Sequence, residues 1–240
     1  MKDTVHPSSP FMEGLKDGFP ICLGYFSVGF AFGITVIGEG FPPWIAVLIS
    51  MTNLTSAGQL AGLAVLAGGG SLIEMCMTQL VINLRYALMS FSLTQKLSEK
   101  FRLLDRFIVS MVITDEIFAV AASHPGKVSR SYMFGLAAVP ITGWVIGTWL
   151  GAVAGGILPA VLVSALGIAI YGMFIAIVVP AARELRGILN VVVFSILLSC
   201  ILHYTPILSR MSEGFMIIIS AVAASLAGAL LWPLDLKEDE

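Results

Sequence analysis

Ser50-Met51-Thr52-Asn53-Leu54-Thr55-Ser56-Ala57-Gly58-Gln59 is a polar, glycine-containing interruption halfway along an apolar segment that runs from about Trp44 to Ala67. Taken alone it would read as a surface turn. The composition places it elsewhere: 58% of the residues are hydrophobic, 12% are charged, and the mean hydropathy is +0.95. An ordinary globular domain has about a quarter of its residues charged. The chain therefore reads as an all-α polytopic membrane protein, and the interruption falls at membrane depth. There, unpaired backbone groups are tolerated only against protein or a wet cavity, which makes this break the first candidate for a functional site.

Working outward, a spanning helix needs ~20 apolar residues, so 240 residues hold about six to eight spans and no sizeable soluble module. Residues 1–18 read as a cytoplasmic N-terminal segment, 19–232 as one integral membrane domain and 233–240 as a short polar tail. The first apolar run, about Phe19 to Ile37, lacks a small-residue cleavage site and reads as a retained helix that Pro42-Pro43 terminates. Its Gly29-x-x-x-Gly33 spacing suits close packing with another helix. After the interrupted segment come about Leu72 to Leu93, a short segment from about Phe107 to Ala122, and about Tyr132 to Val153. Three more follow, at about Ala160 to Ala182, Ile188 to Tyr204 and Phe215 to Trp232. Gly143, Gly147, Gly151 and Gly155 recur every four residues, which lines one helix face with glycine.

Basic residues orient the chain, because short cytoplasmic loops are enriched in Lys and Arg. If all eight segments cross, Lys96, Lys100, Arg102, Arg106 and Arg210 fall outside, five against seven inside. If 44–67 and 107–122 are instead broken or re-entrant, eleven lie inside, only Arg210 lies outside and Arg85 is intramembrane. The expected architecture is thus about six full spans plus two broken or re-entrant segments, with both ends cytoplasmic in a multi-pass cytoplasmic-membrane protein.

Four ionisable side chains interrupt apolar segments: Glu74, Arg85, Asp115 and Glu116. Each costs ~2.5–3.5 kcal/mol at a helix centre, so such groups face the bundle interior or water. Glu74 lies near the Gly68-Ser71 turn and reads as a solvated interfacial residue. Arg85, beside Asn83, carries a planar fork that suits a carboxylate; it could anchor a ligand, pair with Asp115 or Glu116, or snorkel to the surface. Asp115 and Glu116 are adjacent, so on a helix they point about 100 degrees apart and divide their labour. One could pair with Arg85 while the other meets an ammonium group or carries a proton. Asn53, Thr55, Ser56 and Gln59 add neutral hydrogen-bonding groups, and a half-helix starting at the break would offer free amides to an anion. The bland alternative is an interhelical polar clamp.

In order, Ser50 through Leu63, Val81-Ile82-Asn83-Leu84-Arg85-Tyr86-Ala87-Leu88-Met89 and Thr114-Asp115-Glu116 resemble the AzlC family, the large permease subunit of branched-chain amino acid exporters. The resemblance runs from Phe11 to about Arg186. The family usually has Tyr-Ala-Gly before the glutamine; here Leu54-Thr55-Ser56-Ala57-Gly58-Gln59 lacks the aromatic and displaces the glycine. The resemblance implies proton-driven export of small neutral amino acids, branched-chain ones and methionine among them. It also implies a small hydrophobic partner subunit of the AzlD type.

The other function classes draw little support. A net charge of −2 argues against a nucleic-acid partner. His6, His124 and His203 have no metal-ligand spacing, no Ser or Cys nucleophile motif is present, and Gly126-Lys127 lacks a Walker context. The expectation is a non-enzyme without metal or cofactor. Cys22, Cys76 and Cys200 have no C-x-x-C spacing and read as buried thiols. A non-transporting scaffold that assembles through the glycine face of the fifth segment is the alternative reading.

Overall fold

The computed structural model describes residues 9–159, 161, 169–206 and 211–232. The C-terminal tail, the first eight residues, Arg210 and most of the expected start of the sixth segment lie outside the described residues. Apart from one isolated bridge between Leu97 and Val128, the regular structure among the described residues is helical. The helices are α1 (Pro10–Gly38), α2 (Pro43–Thr52), α3 (Ala57–Ala67), α4 (Leu72–Thr94), α5 (Leu103–Val112), α6 (Asp115–Ser123), α7 (Arg130–Gly155), α8 (Ala169–Glu184), α9 (Arg186–Tyr204) and α10 (Glu213–Leu231). By length and composition α1, α7, α9 and α10 can cross a membrane. The chain forms two compact units: Met1–Gln59 with Leu84–Ile170, and Leu60–Asn83 with Tyr171–Glu240.

The first unit is built on α1 and α7. Gly14 meets Tyr132 and Leu136, Gly18 meets Leu136 and Pro140, Gly29 meets Trp144 and Thr148, and Gly33 meets Thr148 and Ala152. Both series rise together, so the two helices run parallel. The contact is backbone on backbone: a Cβ on Gly151 would lie 2.0 Å from the Phe30 carbonyl oxygen, and one on Gly33 2.2 Å from that of Thr148. The expected glycine face therefore packs, and its neighbour is α1. That face is filled within the chain and is not free to bind a second protein as the scaffold reading requires. Helix α1 also starts nine residues before the expected Phe19, capped by the Ser9 hydroxyl. Its 29 residues rise about 43 Å, longer than the ~30 Å hydrocarbon core, so the turns carrying Glu13, Lys16 and Asp17 extend past the apolar part.

Residues 103–123 form a helical hairpin rather than a span. Its entry is tied to the start of α7: the Asp105 carboxylate, 2% exposed, accepts the Arg102 amide at 3.0 Å and pairs with Arg130 at 3.0 Å. Its exit is at the same end, where the His124 ring stacks on Tyr132 at 4.3 Å and Nε2 lies 3.9 Å from Glu13. The tip, Ile113-Thr114, reaches the middle of α1, where Thr114 meets Tyr25. The segment enters and leaves at the N-terminal end of the α1–α7 pair. Its base is laced further by Ser98 donating to Val128, Val128 donating to Lys96 and Lys127 donating to Gln95.

In the second unit Glu74 departs from its expected solvated state. It is 4% exposed because Gly70 and Gly214, lacking Cβ atoms, let the α3–α4 turn and the start of α10 close over it. The cysteines depart too: Cys22 is half-buried, while Cys76 and Cys200 are exposed on the protein surface. An apolar stripe on α4, including Leu80, Leu84, Leu88 and Phe91, is likewise exposed, as lipid-facing positions are.

Candidate functional site

The opening stretch breaks as its sequence predicts. Helix α2 ends at Thr52, Asn53 is extended, Ser56 takes φ +48, and α3 begins at Ala57. Leu54, at the centre of the break, packs with Tyr25 of α1 and Trp144 of α7, whose rings meet edge to face at 4.9 Å. Tyr25 also reaches the second break. Its hydroxyl lies against Thr114 Oγ1 and donates to Glu116 Oε2 at 2.5 Å. The two interrupted segments thus meet on one tyrosine, halfway along α1.

The second break is built to hold acids. The Thr114 hydroxyl caps α6, accepting the Ile117 amide at 3.3 Å. Asp115 and Glu116 then occupy the first helical turn, where the positive end of the helix dipole favours negative charge. They divide as adjacent helical residues must. Asp115 Oδ2 pairs with Arg85 Nη1 at 2.6 Å, and Glu116 takes the Tyr25 hydroxyl. Nearly half of each side chain in the Arg85–Asp115 pair is exposed, so the pair lines an open surface of the unit rather than its core.

Arg85 ties this acidic break to the first one. Its Nη2 donates to the Tyr86 hydroxyl at 2.8 Å, its guanidinium lies over the Tyr86 ring at 4.6 Å, and Tyr86 donates to the Thr55 carbonyl at 3.5 Å. Within the break the Thr55 hydroxyl donates to Asn53 Oδ1 at 2.7 Å. Gln59 points away from these groups and into the core, donating to Ser50 Oγ at 3.1 Å; Ser50 in turn bonds Thr148 at 2.8 Å.

Asn53, Thr55, Tyr86, Arg85 and Asp115 therefore join one connected network, with Glu116 beside it in the chain and bonded to Tyr25, whereas Gln59 belongs to a separate buried chain behind the break. Ser56 supplies the left-handed residue that reverses the backbone. Asn83 lies in the second unit and donates to Gln79 at 2.9 Å, one turn earlier on α4. Sequence reasoning missed Tyr25, Tyr86 and Thr148. A signal for Tyr25 was present: Glu13, Asp17, Ile21 and Tyr25 recur every four residues along one face of α1. Chemically, the site sets one fixed cation and two carboxylates beside irregular backbone at the tips of two broken segments. Among the described residues no group of three or more His, Cys, Asp and Glu side chains is placed to hold a metal ion.

The family model described as AzlC protein matches residues 20–158, which include both breaks, Tyr25, Arg85 and the whole of α7. The inner membrane protein YgaZ of Escherichia coli strain K12 is 33% identical over 189 residues, covering 75% of this chain and 77% of that protein. A membrane protein of Archaeoglobus fulgidus is 31% identical over 179 residues, covering 74% and 78%. One from Helicobacter pylori strain 26695 is 26% identical over 153 residues, covering 60% and 66%. No solved structure matches.

Proposed function

The chain belongs to the AzlC family of multi-pass membrane proteins, and from that premise we propose that it exports small neutral amino acids across the cytoplasmic membrane. Branched-chain amino acids, with methionine, are its substrates. The observation that carries this reading is the meeting of two broken segments on Tyr25, with Arg85, Asp115 and Glu116 gathered at their tips. Irregular backbone and intramembrane charge are both expensive, and transporters place both at the substrate site.

The Arg85–Asp115 pair, 2.6 Å apart, carries the same two charges as an amino acid zwitterion. A substrate can therefore open it by exchange, its carboxylate taking the Arg85 fork and its ammonium group taking Asp115. No net charge is introduced in the exchange, which spares most of the desolvation cost that an unpaired ion would meet. Asn53 and Thr55 supply neutral hydrogen bonds beside the carboxylate. Glu116, held by Tyr25, is the group that carries the coupling proton. A small hydrophobic subunit of the AzlD type completes the permease.

Efflux from proteoliposomes loaded with leucine, with and without the small subunit, tests this. Arg85→Ala is expected to lower the rate at least about tenfold, the effect of losing one charge-assisted contact. An Arg85→Ala protein that folds and exports leucine at the wild-type rate overturns the assignment of the site. Wild-type vesicles that retain leucine, valine and methionine alike, with the partner present, overturn the export function.

A further inference from the structure

Glu74 stands in the first turn of α4, only 4% exposed, and its Oε1 accepts the amide of Gly214, the second residue of α10, at 3.0 Å. Among the described residues no Lys, Arg or His forms an ion pair with it. Two hydroxyls are unspent at this junction, one on α4 and one at the N-cap of α10, two residues before Gly214. Thr78, one turn along α4 and 0% exposed, makes no hydrogen bond through Oγ1, and neither does the buried Oγ of Ser212. Ser212 is the N-cap of α10, where a serine ordinarily accepts a first-turn amide; here the Glu74 carboxylate holds one of those amides instead.

Glycines shape the cradle. A Cβ on Gly214 would lie 2.5 Å from Glu74 Oε1 and 2.8 Å from Thr78 Oγ1. A Cβ on Gly70 would lie 2.8 Å from Glu74 Oε2 and 3.0 Å from the Val65 carbonyl oxygen. A carboxylate so enclosed is costly without a counter-charge, and the α10 N-terminus offers roughly half an elementary charge. A cation in the cradle would supply the remaining compensation. The available ligands are oxygens with a single negative charge among them, which suits a hard monovalent ion. Transition metals favour nitrogen and sulfur, and divalent ions take several carboxylates or substrate phosphates.

We propose that Glu74, Thr78 and Ser212 form a binding site for an alkali cation of sodium size. The site lies wholly within the second unit, whereas Arg85 and Asp115 belong to the first, and its test does not depend on any transport reading. The purified full chain is melted in detergent across a sodium chloride series, with choline chloride holding ionic strength constant, and then across pH without sodium. Sodium is expected to raise the wild-type midpoint saturably, because a ligand that binds only the folded state stabilises it by mass action. Glu74→Gln and Gly214→Ala are expected to flatten that response. Thr78→Val, which keeps the carboxylate, is expected to shift half-saturation to about tenfold higher sodium. If Glu74→Gln and Gly214→Ala do not fold, Thr78→Val alone decides. An equal sodium response in wild type and variants overturns the proposal, and so does a response to pH alone, which would make the neutralising cation a proton.

Discussion

Tyr25 is the residue on which the two breaks depend, and its hydroxyl is the part that matters. It lies against Thr114 and donates to Glu116 at 2.5 Å, while its ring packs on Trp144 and Leu54. Phenylalanine keeps the ring and removes only the hydroxyl, leaving the Glu116 carboxylate and the Thr114 cap without their partner. Hydrogen bonds to charged groups contribute roughly 1.5–3 kcal/mol, so Tyr25→Phe is expected to lower stability by about 2 kcal/mol. A double-mutant cycle with Glu116→Gln separates this bond from general repacking: melting of the four proteins should give a coupling of at least about 0.5 kcal/mol. Additive losses would mean that tyrosine and carboxylate are merely neighbours. Trp144, behind Tyr25, leaves its buried indole nitrogen without a hydrogen-bond partner, so the ring stack holds Tyr25 by shape.

At the scale of elements, α1 and α7 lie close because glycines replace side chains along their seam. A Cβ on Gly151 would sit 2.0 Å from the Phe30 carbonyl, so Gly151→Ala must push two backbones apart. Overpacking of this kind costs about 1–3 kcal/mol. Gly24, on the same α1, has nothing within 4 Å of an added Cβ, so Gly24→Ala should be neutral or stabilise by up to ~1 kcal/mol from helix propensity. Thermal melting of the two variants in detergent checks the contrast, and equal effects would refute the seam. Much of this was legible. A four-residue glycine spacing needs only a helix to become a face, and the polar cluster from Asn53 to Gln59 could not continue an apolar span unnoticed. The unread parts depended on partners distant in sequence. Glu74 looked solvated beside its turn because nothing local announces that Gly214, 140 residues later, will close over it. Gln59 looked like a ligand residue because the sequence does not reveal that Ser50 and Thr148 wait behind it. The first turns of α1 looked like a tail because Glu13, Lys16 and Asp17 are unlike a span, although the helix simply outruns the hydrocarbon.

For the whole molecule, helix direction fixes the chain path. Because α1 and α7 run parallel, the chain between them must cross the membrane an odd number of times. The hairpin at 103–123 contributes no crossing, since Asp105 and His124 both sit at the N-terminal end of the pair. Between 43–67 and α4, one crosses and one does not. Helix α4 is unbroken over 23 residues, about 35 Å of rise, whereas 43–67 is broken at Asn53–Ser56. The crossing is therefore expected in α4, with 43–67 re-entrant. Lys16, Lys96, Lys100, Arg102, Arg106, Lys127 and Arg130 belong to the N-terminal turns of α1 and α7 or to the hairpin base and its flanking loops, so the positive-inside rule predicts that this face is cytoplasmic. With the three native cysteines replaced, single cysteines at Gly40 and Gly69 are expected to react with an impermeant maleimide added outside intact cells. Cysteines at Ser98 and Lys100 are expected to react only after the membrane is opened. If 43–67 crossed in place of α4, Gly69 would be protected while Lys100 stayed inside, so Gly69 separates the two chain paths.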